Sequence, residues 1–202
     1  FTKIFVQSKA SQDLLLAIHL ESEVAFDTRF DRVYQIANLE KVFPLIEKFK
    51  GTSKLFIAGS TWQKDEELMV RCINENLLKG YKFILAPHQI DSHRIEQLKA
   101  KFSVRATLFS ELSETNFAAI EVILIDNIGI LSSLYAYGDM AYIGGGFNAG
   151  VHNVLEAAVH SMPILFGPHY FKSLEAIELK NNFAAVPVSN YHEFKNTPND
   201  LT

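Results

Sequence analysis

Short apolar runs of strand type alternate with amphipathic helical patterns along nearly the whole chain, and this alternation limits the possible folds more than any other feature. "KLFIAG" (54–59), "KFILAP" (82–87), "AIEVILID" (119–126), "MAYIG" (140–144) and "PILFG" (163–167) are apolar with little in–out alternation. Such strands are covered on both faces, which implies βαβ units, a parallel sheet and helices on either side. The segments between them carry the helical period: 65–80, 92–102, 128–138, 152–161 and 170–182. Further strands are predicted at 3–7, 23–26, 105–112 and 183–188, and further helices at 11–20, 30–39 and 43–50. The expectation is an α/β fold, a doubly wound parallel sheet forming a single domain over 1–202, with a loosely ordered tail over 190–202.

Composition removes several classes. A net charge of −4 lacks the basic excess of a general nucleic-acid binder. One cysteine, Cys72, rules out an internal disulfide, and it reads as a small buried apolar residue. No run is long and apolar enough to cross a bilayer, and no signal peptide is visible. The chain opens at Phe1, directly into a strand pattern, and reads as a soluble piece excised from a longer, two-domain parent.

In sheets of this kind ligands bind beyond the carboxyl ends of the strands. Five predicted turns at that edge carry small or hydrogen-bonding residues: "GSTW" after 54–59, "PHQID" after 82–87, "DNIG" after 119–126, "GGGFNAGVHN" after 140–144 and "GPHYFK" after 163–167. Gly144, Gly145 and Gly146 offer bare backbone, either to a ligand or to close packing. The helix read from His152 points free N–H groups at the same space, which suits a phosphate or carboxylate. His152 and Asn153 stand at its start. Glu156, among Leu155, Ala157, Ala158 and Val159, is an acid in an apolar setting and reads as paired, for instance with two sugar hydroxyls.

Ser60 and Thr61 either cap the next helix or touch the ligand. Asp65, Glu66 and Glu67 complement the helix dipole. His88 sits at a strand end. With Asp91 and His93 it lacks a well-spaced third ligand for a metal, and none is expected. Arg29 lies between Asp27 and Asp31, as an ion-pair member or an anion contact. Trp62 has no clear role. "GGGFNA" (144–149) matches the G-x-G-x-x-A form of a dinucleotide fingerprint, but no acid follows the next strand to hold a ribose. That speaks against a nicotinamide oxidoreductase.

"DTRFDR" (27–32), "AGSTW" (58–62), "APHQID" (86–91), "DNIGILSSLY" (126–135), "AYIGGGF" (141–147), "HNVLEAA" (152–158) and "PILFGPHYFK" (163–172) follow in an order that resembles the C-terminal half of bacterial 3-deoxy-D-manno-octulosonic acid (Kdo) transferases, over about residues 1 to 188. "HN-x-LEAA" with its preceding glycines and the following "P-x-x-x-GP" is the specific part. Phe26, where the family usually has glycine, and Asn127, where threonine is common, depart from the pattern and bear on individual donor contacts.

The resemblance implies a GT-B architecture of two Rossmann-like domains, this chain being the C-terminal one, which binds the donor CMP-Kdo. The parent would transfer Kdo to a lipid A precursor in lipopolysaccharide biosynthesis, at the cytoplasmic face of the inner membrane, held there by an N-terminal segment. Its catalytic base would lie in the N-terminal domain, so this fragment alone is expected to be inactive. The implied donor contacts are Arg29, Ser60, Thr61, His88, Ile128, Gly129, the three glycines 144–146, His152, Asn153 and Glu156, with no metal and no cofactor. Phosphate falls to the glycine turn, ribose to Glu156 and the cytosine edge to backbone near Ile128 and Gly129. The alternatives are a GT-B enzyme using a UDP-sugar and a nucleotide-binding module without chemistry.

Overall fold

Leu55 and Ile57 of one strand face one core while Phe56 and Ala58 face a second, and all four are fully buried. This is the signature of a sheet covered on both sides. A computed structural model describes residues 2–25, 27–38, 41–113 and 117–197, without the side chain of 118. Phe26, singled out above, lies outside the described residues.

The large sheet comprises β3 (Lys54–Thr61), β4 (Tyr81–Pro87), β5 (Ala106–Leu108), β6 (Val122–Leu124), β7 (Met140–Ile143), β8 (Ile164–Phe166) and β9 (Ala185–Pro187). Its order is β5-β6-β4-β3-β7-β8-β9 and every neighbouring pair is parallel. The chain moves outward from β3 to one side, then returns to lay β7 against the other side of β3. The switch point of the fold therefore lies between β3 and β7, where ligands enter doubly wound sheets.

On one face pack α3 (Pro44–Lys50), α6 (Leu131–Leu134), α7 (Leu155–Ala158) and α8 (Leu174–Asn181), through Ile46, Phe49, Leu134, Ala157 and Ala176. On the other pack α4 (Gln63–Asn74), α5 (Ser92–Lys99) and α9 (Tyr191–Asn196), through Met69, Ile73, Ile95, Leu98 and Phe194. Cys72 lies in this second core and burial pushes its thiol up to about 12. The expected doubly wound architecture is borne out.

Several boundaries differ from the sequence reading. The helix expected over 152–161 is only α7, four residues starting at Leu155. The strand over 105–112 ends at Leu108 and turns into a single 3-10 turn, Phe109–Glu111. The tail expected to be loose from 190 instead forms α9 over Tyr191–Asn196, anchored by buried Phe194. Residues 198–202 lie outside the described residues.

A second, two-stranded sheet stands apart. Parallel strands β1 (Phe5–Val6) and β2 (Glu23–Val24) are joined by α1 (Lys9–Leu16), and the linking α2 (Thr28–Ala37) leads to α3. No residue of α1 is buried, and Leu14 and Ile18 are among its segment's exposed apolar side chains. Among the described residues no helix is long and apolar enough to cross a membrane.

Candidate functional site

Because the seven strands run parallel, the five turns named above share one edge. A cavity of about 1050 Å³ opens beside the switch point. Arg29 and Asp27 from the start of α2, Gly150, His152 and Asn153 from the loop after β7, Lys172 and Ser173 from the turn after β8, and Glu175 from the start of α8 line it.

The loop from Gly144 to Val154 is held by contacts distant in sequence. His152 N–H donates to Gly144 C=O (3.0 Å), Val151 N–H to His169 C=O (3.0 Å) and His169 N–H to Gly146 C=O (2.7 Å). The three glycines are used for packing. A β-carbon at Gly144 would lie 2.3 Å from Ser60 O, and one at Gly146 would lie 2.6 Å from Gly167 N. Gly145 is in the left-handed region at φ 89°. The N–H of Gly144 goes to Gly59 C=O (2.9 Å) and that of Gly145 to Asp65 Oδ2 (3.0 Å). The expected phosphate cradle of glycine N–H groups and a helix starting at His152 is corrected: two of those donors are engaged, and the helix starts at Leu155.

Asp65 organises this region, although its position suggested only dipole complementation. It is fully buried. From the third position of α4 it accepts from Trp62 N–H (2.9 Å), the half of a capping box that helix starts favour, and also from Tyr142 OH (2.7 Å) and Gly145 N–H. Glu66 is nearly as buried, and both its oxygens accept from Nη2 of Arg94 (2.7 and 2.6 Å). Burial pushes its carboxyl up, against the pull of Arg94.

Thr61 is fully buried, with its hydroxyl 3.3 Å from Glu66 Oε1, so it supports the wall and does not reach a ligand. Ser60 sits at a bulge, at φ 53°, and presses its carbonyl toward Gly144. Of the two acids that flank it in sequence, Arg29 takes Asp27 as its ion-pair partner. It binds Asp27 (2.7 Å through Nε) and Glu175, and its guanidinium holds the Asp27 carboxyl below the usual range.

Asn153 sits between the start of α7 and the cavity. Its Oδ1 accepts from Leu155 N–H (3.2 Å) at the start of α7, and it lines the cavity. Its Nδ2 donates to Glu156 Oε1 (3.1 Å). Glu156 itself is half-buried and faces a small void beside Val33, Ser132 and His160, off the wall of the large cavity. Ile128 is 89% exposed and Gly129 has open space around it; their loop follows β6 on the same edge but does not line the cavity. His88 is exposed and stacks on both Trp62 and His152. Lys172, His169 and Glu175 were not singled out in the sequence. The signal available for His169 and Lys172 was their turn, "GPHYFK", already placed at the ligand edge, whereas Glu175 lies beyond it in α8. Among the described residues no cluster of three or more His, Cys, Asp or Glu could hold a metal ion.

The doubly wound fold is that of the C-terminal, Rossmann-like half of a GT-B glycosyltransferase. No family model matches the chain. The chain is 32% identical over 146 residues to a 3-deoxy-D-manno-octulosonic acid transferase of Aquifex aeolicus, covering 70% of this chain and 39% of that protein. It is 35% identical over 120 residues to the transferase of the same name from Chlamydophila psittaci, covering 58% and 27%. Among solved structures, the C-terminal CMP-Kdo binding domain of WaaA from Acinetobacter baumannii superposes with a TM-score of 0.62 at 20% identity, over 83% of this chain and 86% of that domain. The resemblance drawn from the sequence is borne out. The chain is a homologue of the Kdo transferases with the fold of a CMP-Kdo binding domain, and it spans less than half the length of these curated relatives.

Proposed function

We propose that this chain is the donor-binding part of a glycosyltransferase that moves Kdo from CMP-Kdo to a lipid A precursor at the cytoplasmic face of the inner membrane. The observation that carries the reading is the large cavity beside the loop after β7, lined by His152 and Asn153 of the very motif that gives the sequence its resemblance.

As the bond from Kdo to phosphate breaks, charge collects on the CMP phosphate. Donors already in place at the cavity wall stabilise it without reorganising, and no metal is required. His152 and Asn153 supply hydrogen bonds, and Lys172 supplies charge beyond the neutralised Arg29. Asn153, on the cavity wall, reaches the ribose, and Glu156 behind it holds the Asn153 amide in place. The base that activates the acceptor hydroxyl belongs to another part of the parent. The chain alone binds CMP and transfers nothing.

Calorimetric titration tests this. CMP is expected to bind and UMP to bind at least about tenfold more weakly, a difference of about 1.4 kcal/mol. Glu156→Ala is expected to lower CMP affinity about tenfold, because it frees the Asn153 amide from a charge-assisted hydrogen bond worth about 1.5–3 kcal/mol. In an Asn153→Ala background the Glu156→Ala loss should shrink, the mark of coupled residues. Preference for UMP would favour a UDP-sugar enzyme instead, and equal losses in both backgrounds would separate Glu156 from Asn153.

A further inference from the structure

The donor-site reading leaves Trp62 without a role. An indole N–H can only donate. Trp62 Nε1 lies 2.8 Å from Nε2 of His152, so that nitrogen is the acceptor and the imidazole carries its proton on Nδ1. The Nε2–Cδ2 edge of His152 is also the edge turned to Gly145, where a β-carbon would sit 2.8 Å from Cδ2 and 3.1 Å from Nε2. The Nδ1 edge is therefore turned away from both. His152 is part of the wall of the large cavity.

The two rings are held nearly parallel. Trp62 and His152 are inclined by only 10° with centroids 6.4 Å apart, side by side through their hydrogen bond. His88 lies across both, 4.7 Å from the Trp62 ring and 4.4 Å from the His152 ring, within 25° of parallel to each. A ring hydrogen-bonded at one edge and covered on one face cannot flip without breaking both contacts.

We propose that Trp62 is a positioning residue, which holds His152 as a neutral Nδ1–H donor directed into the cavity, at an anionic oxygen of the ligand. The inference rests on the donor-site reading only for which oxygen that is. The groups acting on the His152 charge agree. Burial and the neighbouring His88 push its pKa down, and Asp65 behind the loop opposes them.

The test is long-range proton–nitrogen NMR of the histidine rings at pH 7, on 15N-labelled protein. Without ligand, His152 is expected to show the Nδ1–H pattern. Trp62→Phe keeps a ring beneath His88 but removes the donor, and should abolish that pattern in favour of Nε2–H. Adding CMP to the wild type should shift the His152 Nδ1 resonance. A wild-type His152 that is an imidazolium or carries its proton on Nε2 would overturn the inference, and so would CMP that binds without moving Nδ1. The wild-type spectrum decides even if the variant fails to fold. Failure of CMP to bind at all, with the tautomer as expected, would count against the donor-site reading and not against the tautomer.

Discussion

Asp65→Ala is expected to cost about 4 kcal/mol of stability and to abolish CMP binding. The carboxylate is fully buried and accepts from three donors: the Trp62 and Gly145 N–H groups and the Tyr142 hydroxyl. Truncation leaves all three without a partner in the protein interior. One orphaned buried group costs about 1–3 kcal/mol, and breaking a buried charged network about 3–5 kcal/mol. The three donors come from the residue that precedes α4, from β7 and from the loop after β7, so the same change loosens Trp62 and the glycine turn together. Urea denaturation reads the loss as a lower midpoint at unchanged slope. Asp65→Asn, which keeps one oxygen for the two N–H groups, should lose about half as much. Glu67→Ala, one turn-neighbour away but exposed, should stay within about 0.5 kcal/mol. Equal effects at 65 and 67 would return Asp65 to a simple helix-dipole role.

Gly144→Ala is the second large effect, expected to destabilise by about 3 kcal/mol. The added carbon would lie 2.3 Å from Ser60 O, 2.7 Å from Thr61 Cα and 2.8 Å from Ser60 C, all backbone atoms of the neighbouring strand. That strand cannot yield easily. Ser60 is already in the left-handed region at a bulge, and Gly144 N–H is bonded to Gly59 C=O. The methyl would therefore push β7 from β3 at the switch point and deform the cavity from behind. Gly129→Ala is the contrast: open space surrounds it, and only its φ of 89° resists, at about 1–2 kcal/mol. Loss of CMP affinity in Gly144→Ala with full stability would mean that the glycine faces the ligand, contrary to the packing described.

The large sheet was legible because β3, β4 and β7 are continuous apolar runs, a pattern that a two-faced parallel sheet imposes locally. The ligand edge followed from the topology rule. The start of α7 was not legible. Val154, Leu155 and Ala157–Val159 carry a helical pattern reaching back to His152, but the Val151 and His152 N–H groups are claimed by the His169 and Gly144 carbonyls. Local periodicity contains none of those partners. Asp65 was misread for the same reason. Its first-turn position is visible in sequence, whereas Tyr142 and Gly145, about 80 residues on, are joined to it only by the fold. The glycine run shows the reverse. Both of its readings, ligand approach and close packing, were available, and the geometry selects packing for its backbone.

The most direct test of a donor site at the β3–β7 switch is a crystal structure with CMP bound. The expected result is the nucleotide in the large cavity, its phosphate within hydrogen-bond reach of His152 and Asn153. Nucleotide bound elsewhere with that cavity empty, or no binding at about millimolar CMP, would contradict it.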